Sequence, residues 1–410
     1  MGYSINAIKG ISWMSAFRIV TRFFSFIKIG VLARVLTPAQ FGVFGIASLI
    51  LALLEMLTET GINIFLIQSK KEIDEYINSA WVVSIIRGTV ISLLVIFSTP
   101  FIVLFFNVPE ARNIIYLIGI APFLRGFINP SVVRLQKELK FNYEFWFRTS
   151  IFLFDAVISI LLAVLTHSVY SLVWGLLAGV VLEVILSFVL IKPIPRFKIN
   201  KNYFREIFHK GKWVTAYGIF NYFAQEGDNL VVGRLLGTST LGVYQMAYKI
   251  STLPISEVTD VVNKVVFPVY SRIAQDKKRL NNAFIRSTLL ITITTLLMGI
   301  VVFLFPREII LILLGEKWLS ALPVLRVLAI YGVLRAISGS ASALFLAVGK
   351  QNYVTGMTFL RFISLAVSIY PFVQIFGLVG AAYSALLSVC MEIPLITYYA
   401  FSILKTKNHQ

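Results

Sequence analysis

The stretch Trp13–Gln68 constrains this chain most: two long apolar segments joined by Thr37-Pro38-Ala39-Gln40, with ionisable residues inside both. Each segment is long enough to cross a hydrocarbon layer of about 30 Å, which takes roughly 20 helical residues. Arg18, Arg22, Lys28 and Arg34 lie in or at the end of the first segment, and Glu55 and Glu59 lie in the second. An ionisable side chain at bilayer depth is costly, so it faces a protein interior or a wet cavity. For antiparallel helices turning at residue 38, Arg22 lies 16 residues before the turn and Glu55 lies 17 after it. Arg18 and Glu59 lie 20 before and 21 after. Bases and acids therefore match in depth, and i, i+4 spacing keeps each like pair on one face, Arg18 and Arg22 alongside Ser15 and Ser25. The spacing predicts Arg22 opposite Glu55 in a charged seam inside a membrane.

The same pattern returns two hundred residues later. Trp13 matches Trp213, Phe17 matches Tyr217, Phe23 matches Phe223 and Arg34 matches Arg234. Around the turn, L-A-R-V-L-T-P-A-Q-F-G-V-F becomes V-G-R-L-L-G-T-S-T-L-G-V-Y. Arg87 with Arg286, Arg125 with Arg335, Arg148 with Arg361 and Glu183 with Glu392 follow in order, at offsets that drift between 199 and 213. The sequence reads as a duplication.

Composition sets the class. Hydrophobic residues make up 58%, charged residues 14%, and the mean hydropathy is +0.84, which marks an integral membrane protein. A net charge of +18 would point to nucleic acid in a soluble chain; basic cytoplasmic loops account for it here, so no nucleic-acid partner is expected. The single Cys390 excludes an internal disulfide. His167, His209 and His409 share no metal-ligand spacing, and no G-x-x-x-x-G-K-[ST] stretch is present. Neither a metal site, nor a cofactor, nor ATP hydrolysis is expected. No expected loop exceeds roughly twenty residues, too little for a soluble catalytic domain.

The expected fold is an all-α integral membrane one, with about 12 transmembrane helices as two six-helix repeats around a central cavity. The helices are expected near 12–35, 41–67, 79–104, 113–135, 146–167, 170–191, 212–236, 241–268, 283–305, 320–347, 353–376 and 378–403. The expected division is an N-terminal lobe 1–191, a basic cytoplasmic linker 192–211 and a C-terminal lobe 212–410. Thr37 and Gln40 have the spacing of a capping box with Pro38 at the first helical position. Pro122, Pro130, Pro254, Pro371 and Pro394 are expected to kink their helices. Gly175 and Gly179 form a small-xxx-small pair that favours close packing. Lys70, Lys71, Lys137, Lys140, Lys277, Lys278, Arg279 and the linker gather on one side, leaving Arg34, Arg112, Arg234, Arg307 and Lys317 on the other. The positive-inside rule then places both termini in the cytoplasm.

The intramembrane charges are the informative residues. Arg18, Arg22, Lys28, Arg87, Arg125, Lys249, Arg335 and Arg361 are candidates for a cationic cavity that takes an anionic substrate, since the planar fork of arginine binds phosphate oxygens in pairs. Arg148, Arg286 and Arg326, near helix ends, read as snorkelling residues. Glu55, Glu59, Asp228 and Asp260 are candidates for ion coupling or gating, because a carboxylate in a wet cavity can titrate or hold Na⁺. Glu183 and Glu392 read as members of static pairs. With a second turn centred at residue 239, Asp228 and Lys249 are expected to pair.

Lys9-Gly10-Ile11-Ser12-Trp13, the run G-V-L-A-R-V-L-T-P-A-Q-F-G-V-F-G, Leu135-Gln136-Lys137-Glu138-Leu139-Lys140-Phe141 and G-R-L-L-G-T-S-T-L-G-V-Y together resemble one family. It is the bacterial polysaccharide and O-antigen flippases of the multidrug/oligosaccharidyl-lipid/polysaccharide exporter superfamily. The resemblance covers nearly the whole chain. It implies translocation of an undecaprenyl-pyrophosphate-linked oligosaccharide from the cytoplasmic to the periplasmic leaflet of the bacterial inner membrane, by alternating access and without enzymatic chemistry. The partners expected are that lipid-linked oligosaccharide, membrane lipids, a coupling ion (H⁺ or Na⁺), and the polymerase and chain-length proteins of the same pathway. Two rivals stand beside it. A multidrug/cation antiporter of the same superfamily would want an acidic, aromatic cavity, whereas the first helix here is basic. An integral-membrane glycosyltransferase or ligase would want a sizeable extramembrane loop carrying acids or histidines.

Overall fold

The computed structural model describes residues 2–57, 73–138, 140–198 and 201–404. Among them nearly all are helical and none is in a strand. Two compact units divide the chain, Met1–Tyr222 and Phe223–Gln410.

The first unit holds α1 (Gly2–Val35), α2 (Pro38–Leu57), α3 (Ile73–Phe106), α4 (Ala111–Ile118), α5 (Ile120–Gly126), a 3₁₀ turn (Pro130–Val132), α6 (Val133–Lys137), α7 (Phe141–Thr166) and α8 (Tyr170–Val189). The first hairpin turns as its capping box dictates. The Thr37 N–H donates to Gln40 Oε1 at 2.8 Å, and the Gln40 N–H donates to Thr37 Oγ1 at 3.3 Å. Gln40 Nε2 also donates to the carbonyl of His167, the left-handed residue that ends α7. Next to that turn α7 and α8 pack closely. A Cβ on Gly175 would lie 1.9 Å from Ser159 Oγ and 2.9 Å from the Asp155 carbonyl, and one on Gly179 3.0 Å from Asp155 Cβ. The small-xxx-small pair thus brings α8 onto the face of α7 that carries Asp155.

The fourth expected helix is not continuous. Residues 111–126 and 130–137 are bent by 71° to each other, and Gly119 separates α4 from α5. Pro122 and Pro130 remove backbone donors there. Asn129 caps the new start by accepting from the Ser131 N–H. Asn129, fully buried, ties the break to the end of α8: its Nδ2 donates to the carbonyls of Ser187, Ile191 and Pro193, and its N–H donates to Ser187 Oγ. The start of the linker is therefore docked onto the first unit. Arg196 N–H donates to Asn78 Oδ1 at 2.6 Å, and the Phe197 ring lies 4.5 Å from that of Trp81.

α9 (Lys201–Ile273) begins in the first unit and runs into the second. Its 73 residues would span about 110 Å if straight. It reverses instead at Gly237, whose φ of 81° and ψ of 179° belong to a region glycine alone adopts readily. The second unit continues with α10 (Lys277–Leu304), α11 (Pro306–Leu313), a 3₁₀ stretch (Glu316–Ala321), α12 (Leu322–Ala347) and α13 (Gln351–Leu404). α13 reverses at Gly377, so that a Cβ on Gly380 would meet the Phe372 carbonyl at 1.9 Å.

By length and composition, seven helices among the described residues can cross a membrane, eight if the bent pair counts as one span. Large apolar side chains such as Phe97, Phe101 and Leu104 of α3 and Leu165 of α7 stand exposed. In water such a surface would aggregate; against lipid tails it costs nothing.

Candidate functional site

In the first unit the intramembrane charges are mostly neutralised one by one. Lys28 Nζ on α1 donates to Asp155 Oδ2 on α7 at 2.8 Å, and Ser159 Oγ donates to Oδ1 at 3.1 Å. Arg125 Nη1 on α5 donates to Glu55 Oε1 at 2.8 Å, and Arg87 Nη2 on α3 donates to the Glu55 carbonyl at 2.7 Å. Depth matching within the hairpin expects Arg22 opposite Glu55. The oxygen Oε1 goes to Arg125, 70 residues away on a helix that such matching does not consider. On α1, Arg18 is partly buried and Arg22 exposed. Glu59 and the side chain of Ser15 lie outside the described residues.

Arg148 is more than a snorkelling residue. Its Nε donates to Glu144 Oε1, one turn back, at 2.8 Å, and Gln136 Nε2 donates to the same oxygen at 2.6 Å. The charges of Arg125 and Arg148 both act on Glu183 of α8. Outside the spans, Lys140 lies 2.7 Å from Glu138, and that hydrogen bond, with the positive charges of Lys140 and Arg134, holds the Glu138 carboxyl below its ordinary range.

The second unit reverses the sign of the hairpin. At an offset of 200, Lys28 becomes Asp228, Phe26 becomes Glu226 and Phe44 becomes Tyr244. Asp228 is buried; it accepts from the Tyr244 hydroxyl at 2.8 Å through Oδ2, and from the Asn229 N–H at 2.8 Å through Oδ1. Asn229 Nδ2 donates to Glu226 Oε2 at 2.8 Å. The expected pairing of Asp228 with Lys249 is therefore corrected: the turn sits at Gly237, two residues before its assumed centre. Lys249 falls about one helical turn too deep and is exposed, while Tyr244 reaches the carboxylate. The repeat itself carries the signal, since Gly237 aligns with Thr37. Asp260 is exposed on the same helix.

Deeper in this unit the Tyr248 and Tyr331 hydroxyls share a hydrogen bond at 3.1 Å, and Arg335 lies one turn along α12 from Tyr331. Arg361 and Glu392, both on α13, are nearly buried and stand 3.8 Å apart. The charges of Arg335 and Arg361 both act on Glu392. The tyrosines and Asn129 were not legible as site or anchoring residues, because their partners lie across a reversal of the chain or on other elements. Among the described residues no group of three or more His, Cys, Asp and Glu side chains could hold a metal ion. The arrangement can neutralise phosphate oxygens and can hold or release a cation at a carboxylate.

The sequence matches the family described as Polysaccharide biosynthesis protein over residues 31–323. It is 25% identical over 408 residues to a membrane protein in the cps region of Klebsiella pneumoniae, covering 98% of this chain and 83% of that one. It is 24% identical over 362 residues to the lipopolysaccharide biosynthesis protein WzxC of Escherichia coli (strain K12), covering 85% and 71%. The teichuronic acid biosynthesis protein TuaB of Bacillus subtilis (strain 168) is 23% identical over 361 residues, covering 84% and 72%. Among solved structures, the lipid II flippase MurJ in an inward closed conformation superposes with a TM-score of 0.78 at 15% identity, over 94% of this chain and 86% of that one. An inward-facing multidrug resistance MATE family transporter of the MOP superfamily does so with a TM-score of 0.76 at 16% identity, over 97% and 99%. These structures share the fold.

Proposed function

This chain belongs to the polysaccharide biosynthesis protein family, and from that membership and its intramembrane charges we propose that it flips a lipid-linked oligosaccharide across the membrane for polysaccharide assembly. The substrate leaves unchanged, so the protein is a transporter and not an enzyme. We assign it an undecaprenyl-pyrophosphate-linked repeat unit, moved from the cytoplasmic to the periplasmic leaflet of the bacterial inner membrane. Two six-span lobes, joined through 192–211 and with both termini cytoplasmic, alternate access around a cavity. Polymerase and chain-length proteins are the partners downstream.

Physical chemistry supports this reading. A pyrophosphate and its sugars cannot enter hydrocarbon unaided, because their charges and hydroxyls would be left unsolvated. A protein interior that offers guanidinium groups at membrane depth supplies what the lipid cannot. That observation carries the proposal: arginines recur inside the apolar segments of both halves. Arg18 and Arg22 of α1 are the cations we assign to the pyrophosphate on entry. Lys28 and Arg125 already have carboxylates at 2.8 Å, and we assign them to the scaffold. Glu226 and Asp228, linked through Asn229, favour coupling to H⁺ or Na⁺.

The test is leaflet-resolved translocation of lipid-linked oligosaccharide in proteoliposomes, with and without a pH or Na⁺ gradient. The wild type is expected to flip the substrate, and Arg18→Ala and Arg22→Ala to reach the membrane folded but lose transport. Unchanged transport per molecule in both variants would remove them from the path. A wild type that instead exchanges organic cations would restore the antiporter reading.

A further inference from the structure

The duplication provides an internal control on which arginines are built to hold an anion. Arg125 and Arg148 with Glu183 in the first unit correspond by sequence to Arg335 and Arg361 with Glu392 in the second. The structure keeps the correspondence, since each glutamate sits in the field of its own two arginines. Beyond that the two triads differ. In the first, each arginine has a carboxylate of its own at 2.8 Å, Glu55 for Arg125 and Glu144 for Arg148. In the second, the two arginines repel each other and share Glu392, whose contact to Arg361 is 3.8 Å. An arginine–carboxylate pair closes to about 2.8 Å when nothing prevents it. Arg361 Nε and Glu392 Oε2 are buried with no hydrogen-bond partner. Arg335 has Tyr331 beside it, and Asp228 acts on it from farther off, with both carboxylate oxygens given to Tyr244 and Asn229.

Two partly buried guanidinium groups with one loose counter-charge and an idle N–H donor describe an anion site closed by a stand-in. We propose that Arg335 and Arg361 hold a phosphate group of the substrate during transport, that Glu392 is the carboxylate this phosphate displaces, and that the corresponding Arg125 and Arg148 are scaffold. The proposal rests on the flippase reading and deepens it. It adds a phosphate-binding position in the second unit to the one assigned to Arg18 and Arg22 in the first. Phosphate oxygens can fill a guanidinium fork, which a single carboxylate oxygen at 3.8 Å does not.

The experiment uses the full chain in nanodiscs, carrying Arg18→Ala and Arg22→Ala so that only other sites report, with inorganic pyrophosphate titrated by calorimetry. Binding is expected to persist on that background. Adding Glu392→Gln is expected to tighten it about tenfold, because the internal competitor is gone. Adding Arg361→Gln with Glu392→Gln, which keeps the local charge unchanged and so guards against misfolding, is expected to weaken it about tenfold or more relative to Glu392→Gln alone. Arg148→Gln with Glu144→Gln is expected to leave it within about twofold, because that pair is assigned to the scaffold and shares no partner with Arg361. If the Arg361/Glu392 variant binds like Glu392→Gln, or the Arg148/Glu144 variant loses as much, the assignment is wrong. Wild-type flipping with no pyrophosphate binding on the background sinks this site and leaves the flippase reading standing. A wild type that neither flips nor binds sinks both.

Discussion

Asp155 takes two donors at once, Lys28 Nζ and Ser159 Oγ, in a place where the close approach of α8 excludes bulk. Its partner lies 127 residues away. Removing the ammonium alone leaves a desolvated carboxylate, which costs on the order of 3 kcal/mol, whereas removing both charges is far milder. Lys28→Met is therefore expected to lower the thermal midpoint in detergent, and Lys28→Met with Asp155→Leu to recover most of the loss. Equal midpoints for the single and double variants would show that the pair holds nothing together.

Elements here are joined by side chains acting on distant backbone. Asn129 donates to three carbonyls at the end of α8 and the start of the linker, and Ser131 Oγ donates to one of them, that of Pro193. Asn129→Ala removes the side-chain donor from the Ser187 and Ile191 carbonyls, at roughly 1–3 kcal/mol for buried groups left unpaired. The linker segment should then open, and limited trypsin digestion of the folded protein is expected to cut after Arg196 and Lys198 about tenfold faster than in the wild type. An unchanged digestion rate would mean that Asn78 and Trp81 hold the segment without it. Gly175 works by absence. Gly175→Leu places side-chain atoms where Ser159 and the Asp155 backbone already are, and overpacking of this kind costs about 1–3 kcal/mol. The expected outcome is a lower melting midpoint together with loss of the Lys28–Asp155 contribution; an additive double-mutant cycle would show that the packing and the ion pair are independent.

For the whole molecule, topology is the property most open to direct test. The arm of α9 after Gly237, residues 238–273, spans about 54 Å, enough to cross the hydrocarbon. On the topology proposed above, Lys277 and Lys278 lie at its cytoplasmic end. Single cysteines replacing Thr238 and Lys277 in a Cys390→Ser background are expected to label from opposite sides of intact cells or oriented vesicles. Labelling of both from one side would end the proposed twelve-span arrangement.

The sequence alone determined the class of this protein and the position of its first hairpin. Long apolar runs admit only membrane helices, because backbone groups must satisfy each other within one segment, and the Thr37–Gln40 cap acts over three residues. It also displayed the recurring residue pattern and the unusual arginines, both of which are properties of order along the chain. Only the tertiary structure decided the partners. Glu55 meets Arg125, Lys28 meets Asp155 and Asp228 meets Tyr244 because helix packing brings together residues between 16 and 127 positions apart. The break at 119–130 and the reversal at Gly237 belong to that same level. Proline and glycine mark where a helix can yield, and the surfaces packed on either side decide where it does.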